Sequence, residues 1–162
     1  MTRTLLLMRH AKSDWDAEYG SDHDRPLNER GMRNARSMGR VLSAHGLEPQ
    51  VVISSTALRA KTTAQLAIEE GRWEAELRLD PTLYESGPED VLGVGASAPE
   101  VSRLMMVGHQ PTWSMLVADL TGERVEMKTA TVAVIELEMD SWAGLRLGKG
   151  TLSRVLDPKS QR

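Results

Sequence analysis

The sequence predicts an α/β protein, a three-layer α/β/α sandwich with a mainly parallel central sheet. Three short apolar runs, at 5–8, 51–53 and 104–107, lack polar alternation, which is typical of strands buried on both faces of a parallel sheet. Segments with helical periodicity lie between these runs, and the alternation favours right-handed crossovers with helices on both faces. The length of 162 residues fits one ordinary domain, so we expect a single domain over residues 1–162.

The first helix is predicted from Asn28, a suitable N-cap residue, to Gly46, since glycine is favoured just after a helix. A second helix follows the apolar run at 51–53 and extends to about residue 70. Arg59 is expected in its first turns, close to the end of the preceding strand.

The second half of the chain shows weaker patterns. The predicted elements are a brief strand at 77–79, a helix at 89–96, the strand at 104–107, a helix from Pro111 to about Leu120, and closing strands at 131–137 and 145–147. The helix at 89–96 is weakened by two glycines. The two closing strands are expected around a turn near 140–144.

Composition excludes several classes of function. The chain has 20 Lys and Arg against 23 Asp and Glu, and this net charge of -3 argues against nucleic-acid or membrane partners. It has no cysteine, so thiol nucleophiles, disulfides and thiolate metal sites are impossible. The apolar run near the N-terminus is too short for a signal peptide or a membrane span. We expect a cytoplasmic monomer with no metal and no cofactor.

Cationic side chains follow three of the predicted strands. Arg9 and His10 come directly after the first, Arg59 follows the second, and His109 follows the run at 104–107. Ligands of open α/β sheets bind at the carboxyl ends of the strands, so these side chains are expected to share a pocket. Two arginines, two histidines and nearby helix N-termini suit a phosphoryl group. Each residue alone is more often a solvated or capping group, and the joint placement favours a site.

These residues resemble the histidine phosphatase superfamily and, within it, the SixA-like phosphohistidine phosphatases. Four blocks carry the resemblance in the family order, at 5–15, 24–31, 54–64 and 107–111. The resemblance implies the histidine phosphatase fold, with His10 as a transiently phosphorylated nucleophile. It also implies that Arg9, Arg59 and His109 bind the phosphoryl oxygens.

The sequence departs from the family pattern at two positions. Ala11 stands where many members have glycine, and SixA-like relatives often share this alanine. Asp16 stands where the mutase branch has asparagine, which removes an amide donor and argues against a phosphate contact there. Mutase activity is therefore not favoured.

Substrate preference depends on the leaving group. Imidazole, with its low pKa, leaves with little assistance, whereas an alkoxide needs a general acid. Glu85 is the nearest candidate acid by position, and a solvated loop carboxylate is an equally good interpretation. The sequence therefore favours phosphohistidine in a phosphoprotein. The alternatives are a small-molecule phosphomonoesterase and a non-catalytic module that binds phosphate or a phosphoprotein.

Several further residues are candidates near the pocket. Ser13 and Arg25 are candidates for substrate binding, although Arg25 is equally suited to a surface ion pair with Asp24 or Glu29. Trp15 and Trp113 are candidates for walls of the pocket, although burial in the core is the default. The segment at 22–24 has metal-ligating residue types but no accompanying cluster, so it is interpreted as a solvated loop.

Overall fold

The computed structural model describes residues 1–145 and 150–160. Its helices and strands in this part of the chain are β1 (Thr2–Arg9), α1 (Glu29–Ala44), β2 (Val51–Ser54), α2 (Leu58–Gly71), β3 (Glu76–Leu79), α3 (Pro88–Ala96), β4 (Arg103–Gly108), α4 (Thr112–Thr121), β5 (Val132–Glu138) and β6 (Gly150–Leu156). No helix within these residues has both the length and the apolar character needed to cross a membrane.

The six strands form one sheet in the order β3-β2-β4-β1-β5-β6. The first four strands in this order are parallel, while β5 runs antiparallel to β1 and β6 runs antiparallel to β5. The prediction of an α/β fold with a mainly parallel sheet is confirmed.

The helices cover both faces because side chains on a buried strand alternate between them. On β1, Leu5 and Leu7 pack into a core with residues of α3 and α4, while Leu6 and Met8 pack into a second core with residues of α1 and α2. All four side chains are fully buried. The continuous apolar run thus reflects one strand that serves two cores.

Helix α1 begins and ends as its sequence predicts. The Asn28 side chain accepts a hydrogen bond from the Gly31 amide at 2.7 Å, which satisfies one free donor of the first turn. Gly46 follows the helix with φ at +67°, a conformation that favours glycine.

The predicted closing strand at 145–147 is wrong at Leu145, and residues 146 and 147 lie outside the described part of the chain. Leu145 follows a short 3-10 turn (Trp142–Gly144) and is buried beside Trp142 in the core. The final strand is instead β6. Most of its side chains are exposed or half-buried at the sheet edge, so it carries no apolar signal.

Strand register brings the predicted site together. Arg9 at the end of β1 pairs with Gly108 of β4, and Ser54 of β2 pairs with Val107. The His10 amide then donates to the Gly108 carbonyl at 3.0 Å. His10 and His109 therefore leave adjacent parallel strands at the same edge of the sheet.

Candidate active site

A cavity of about 470 Å³ lies at the carboxyl edge of the sheet, and we call it the cationic pocket. It contains all four residues that the resemblance assigns to the site. Its lining residues are Arg9, His10, Lys12, Ser13, Trp15, Arg25, Arg59, His109, Gln110, Lys128 and Thr129. Five of these are arginine or lysine and none is acidic, so the pocket suits an anion.

The loop after β1 is held by both helices on that face of the sheet. The Ala11 amide donates to Thr63 Oγ1 of α2 at 3.0 Å, and the Asn28 amide donates to the Lys12 carbonyl at 3.0 Å. A Cβ atom at Gly31 would lie 2.1 Å from that carbonyl oxygen, so the close approach of α1 requires glycine. The backbone around His10 is therefore fixed from two sides.

His10 is buried, and its ring has one hydrogen bond within the described residues. Its Nδ1 lies 2.6 Å from the Ala11 carbonyl oxygen. A carbonyl can only accept, so Nδ1 carries the proton and Nε2 keeps the lone pair in the neutral ring. Burial, and then the positive charges of Arg59, Arg9 and Arg25, lower the pKa of His10 to about 4. At neutral pH this imidazole is therefore uncharged, with a lone pair on Nε2.

His109 lies beside His10, with 5.1 Å between the ring centroids. Its Nε2 lies 2.8 Å from Ser55 Oγ, and within the described residues its buried Nδ1 has no hydrogen-bond partner. Burial and the neighbouring His10 and Arg59 lower its pKa to about 3. Because both imidazoles are neutral at pH 7, the positive potential of the pocket comes from arginine and lysine.

Two of the predicted arginines are anchored through backbone carbonyls. Arg9 donates from Nη1 to the Met127 carbonyl at 3.0 Å, and burial lowers the pKa of Arg9. Arg59 is 6% exposed and donates from Nη1 to the Asp22 carbonyl at 2.8 Å. These contacts orient the planar guanidinium groups, as binding of phosphoryl oxygens requires.

Asp22 is exposed, as the interpretation of 22–24 as a solvated loop expects, but it also contacts two arginines of this site. Its carboxylate accepts from Arg59 Nη2 at 3.0 Å, from the Tyr84 hydroxyl at 2.8 Å and from Arg25 Nη1. Burial alone would raise the pKa of Asp22, but the hydrogen bonds from Tyr84, Arg59 and Arg25 lower it to about 2. Its spacing of three residues from Arg25 was the available sequence signal.

Arg25 is 5% exposed, so the alternative of a surface pair with Asp24 or Glu29 is wrong. The 3-10 turn (Asp22–Asp24) brings Asp22, rather than Asp24, to its guanidinium. Arg25 Nε also donates to Ser13 Oγ at 3.0 Å. Both Arg25 and Ser13 line the cationic pocket, and their roles in substrate binding stay predictions.

Glu85 does not line the cationic pocket. It lies at an exposed position with φ at 58°, on a second space of about 390 Å³ that we call the adjoining cavity. Arg59 and His109 line both spaces. The adjoining cavity also contains Asp22 and Tyr84, and its lining therefore includes two carboxylates.

The two tryptophans have different positions. Trp15 lines the cationic pocket and is 69% exposed, so it is a wall of the pocket. Trp113 is fully buried below Gly108, where its ring leaves no room for a Cβ atom. It supports the turn that carries His109 and lines only the adjoining cavity.

Within residues 1–145 and 150–160, no group of three or more histidine, aspartate or glutamate side chains is arranged to hold a metal ion. The catalytic roles of Arg9, His10, Arg59 and His109 stay predictions, and the geometry shows that one pocket holds all four.

Comparisons with known proteins agree with this fold. The family model described as histidine phosphatase superfamily (branch 1) matches residues 5–100. An uncharacterised chloroplastic protein of Arabidopsis thaliana is 32% identical over 154 residues, which cover 88% of this chain and 70% of that protein.

Two solved structures of SixA proteins, each assigned as a phosphohistidine phosphatase, share the fold. The protein from Nakamurella multipartitia is 30% identical with a TM-score of 0.87, covering 98% of this chain and 97% of that one. The protein from Agrobacterium tumefaciens is 26% identical with a TM-score of 0.82, covering 96% and 98%. These likenesses support a phosphatase activity that uses a histidine. The chain belongs to the histidine phosphatase superfamily, branch 1.

Proposed function

We propose that this protein is a phosphatase that removes the phosphoryl group of phosphohistidine in a phosphoprotein, through a phosphohistidine intermediate on His10. The observation that carries the proposal is the state of His10. Its Nδ1 is held by the Ala11 carbonyl and its ring is neutral, in a pocket lined by five cationic side chains and no carboxylate. A neutral imidazole facing an anion site is what attack on phosphorus requires.

In the first step, the lone pair of His10 Nε2 forms a bond to the phosphorus of the substrate. The other ring nitrogen of the substrate takes up one proton from the solvent. The bond from phosphorus to the substrate imidazole nitrogen then breaks and its electron pair stays on that nitrogen, so that a neutral imidazole leaves. Charge spreads over three phosphoryl oxygens in the transition state. The guanidinium groups of Arg9 and Arg59 stabilise it by hydrogen bonds that are already oriented.

In the second step, the oxygen of a water molecule attacks the phosphorus of phosphorylated His10. The bond to His10 Nε2 breaks and its electron pair returns to the ring, while the water gives up a proton to the solvent. The products are inorganic phosphate and neutral His10. The net reaction is phosphohistidine plus water to histidine plus phosphate.

The lack of an acid in the pocket supports phosphohistidine as the substrate. Imidazole leaves without a strong proton donor, whereas the alkoxide of a sugar phosphate does not. Glu85 is outside the cationic pocket. Asp22 is close to Arg59, but its pKa of about 2 leaves it without a proton to donate at neutral pH.

A rapid-quench comparison tests the proposal. The wild-type protein is mixed with a histidine-phosphorylated protein or with glucose 6-phosphate, and phosphate release and protein-bound phosphate are followed. We expect faster turnover of the phosphohistidine protein and acid-labile phosphate on His10, with both lost in His10→Ala. Faster turnover of glucose 6-phosphate would contradict the substrate assignment. Turnover that survives in His10→Ala would contradict the mechanism.

A small-molecule phosphomonoesterase is the second candidate, and the adjoining cavity favours it. Glu85 lies there beside Arg59 and His109, where a carboxylic acid could protonate an alkoxide that leaves from the pocket. The glucose 6-phosphate arm of the same experiment decides between the two substrate classes.

A further inference from the structure

Trp15 is the most exposed large apolar side chain of the described residues apart from Met1, and it stands in the wall of the cationic pocket. The residue as a whole is 69% exposed although its side chain is large and mostly apolar. Such exposure at the mouth of a charged cavity points to contact with something that the cavity receives.

One face of the indole is occupied. The central guanidinium carbon of Arg25 lies 3.6 Å from the centroid of the ring, the distance of direct stacking. With one face covered by Arg25 and most of the ring exposed, the other face is open.

The base of this stack is rigid. Arg25 is 5% exposed and is held by Ser13 and by the Asp22 carboxylate. The same carboxylate holds Arg59, which the proposed function places on the phosphoryl group. The indole is therefore connected to Arg59 by its stack on Arg25 and by the hydrogen bonds from both arginines to Asp22.

We infer that Trp15 is a stacking surface for a flat ring bonded to the phosphoryl group, and that it selects substrates with such a ring. The inference rests on the proposed function, under which the ring is the imidazole of phosphohistidine. Aromatic stacking is sequence-independent and tolerates a side chain presented on different proteins. Trp15 acts on specificity, and the chemical step belongs to the histidine and the arginines.

A purely structural explanation is that Trp15 only shields Arg25 from water. Loss of shielding would loosen Arg25 and lower turnover of every substrate by the same factor. A stacking surface instead changes the ratio between a substrate with a ring and one without. The ratio of two kcat/KM values therefore separates the explanations.

The test compares free phosphohistidine with inorganic phosphoramidate, since both have a phosphorus–nitrogen bond and only the first has a ring. In Trp15→Ala we expect the ratio of kcat/KM, phosphohistidine over phosphoramidate, to fall by about 10-fold. Trp15→Phe should restore most of the ratio, and Trp15→Leu, which is apolar but not flat, should not. An unchanged ratio in Trp15→Ala, or equal rescue by leucine and phenylalanine, would overturn the inference.

An incorrect proposed function and an incorrect stacking surface give different results in this test. If the wild type releases phosphate from neither phosphorus–nitrogen compound, the substrate assignment fails, and phenyl phosphate is compared with methyl phosphate. A fall in the phenyl-to-methyl ratio in Trp15→Ala would support the stacking surface on its own. A constant ratio would overturn it.

Discussion

The cationic pocket and the adjoining cavity share Arg59 and His109 but have opposite charge. The first has five basic side chains and no acidic one, while the second contains the carboxylates of Asp22 and Glu85. Under the proposed function, the phosphoryl group lies on the cationic side of Arg59, and the carboxylates lie on the other side, away from the phosphoryl oxygens.

Asp22 marks the boundary between the two spaces. It takes hydrogen bonds from Arg59 and Arg25 on the cationic side and from Tyr84 on the acidic side. Burial and then the bond to Asp22 raise the pKa of Tyr84 to about 12. Changes at Arg59, His10, Asp22 and Glu85 test whether the two spaces have separate roles.

The largest effect is expected at Arg59, which faces both spaces. Arg59→Met should lower kcat/KM for phosphohistidine by roughly 10² to 10³-fold, since it removes an oriented donor from the transition state. Arg59→Lys should recover part of this loss because it keeps the charge without the planar fork. Steady-state kinetics provide the measurement. The matched control is Arg40→Met, which removes an exposed arginine paired with Glu70, and an equal loss there would contradict the assignment.

The next effect concerns the pH dependence of stability. The pKa of His10 is about 6.5 in an unfolded chain and about 4 in the folded protein. As pH falls from about 6.5 to 4, His10 binds a proton in the unfolded chain but not in the folded protein. The free energy of unfolding therefore decreases, by about 3 kcal/mol in total.

Urea unfolding at pH 7 and pH 4 measures the total loss, to which His109 also contributes, and His10→Asn should reduce that loss by about 3 kcal/mol. An NMR titration should show half-protonation of the His10 ring near pH 4. A midpoint near 6.5 would show that the cationic pocket does not hold its nucleophile neutral.

A smaller effect is expected at the boundary. Asp22→Asn keeps the size of the side chain but removes the charge that holds Arg59 and Arg25, so kcat should fall by about 10-fold. Ultraviolet titration should also show the pKa of Tyr84 moving from about 12 towards 10. The matched control is Asp24→Asn, whose exposed carboxylate lies beside His23. If both variants behave alike, Asp22 has no special role at the boundary.

The smallest effect is expected at Glu85. Glu85→Gln should change kcat/KM for phosphohistidine by less than about 2-fold, because an imidazole leaving group needs no acid. With glucose 6-phosphate, any measurable turnover should fall by about 10-fold or more. A large loss with phosphohistidine would mean that the adjoining cavity takes part in the main reaction.

The amino-acid sequence alone was enough to predict the helices, all the strands except β6, and the four residues of the resemblance. Apolar runs and helical periodicity are local properties, so β1, β2, β4 and α1 could be predicted from them. Arg9, His10, Arg59 and His109 follow strand ends, and parallel strands end at one edge of the sheet. Strand β6 was not predicted, because a strand at the edge of the sheet needs no apolar pattern.

Three features depend on the folded structure: the uncharged state of His10, the orientation of Arg59 by Asp22, and the division of the site into two spaces. Asp22 meets Arg59 across 37 residues and Tyr84 across 62, and no sequence spacing encodes such partners. The low pKa of His10 depends first on its burial, which exists only after the sheet and helices have packed. The division into a cationic and an acidic space is therefore a property of packing, because it arises from groups that are distant along the chain.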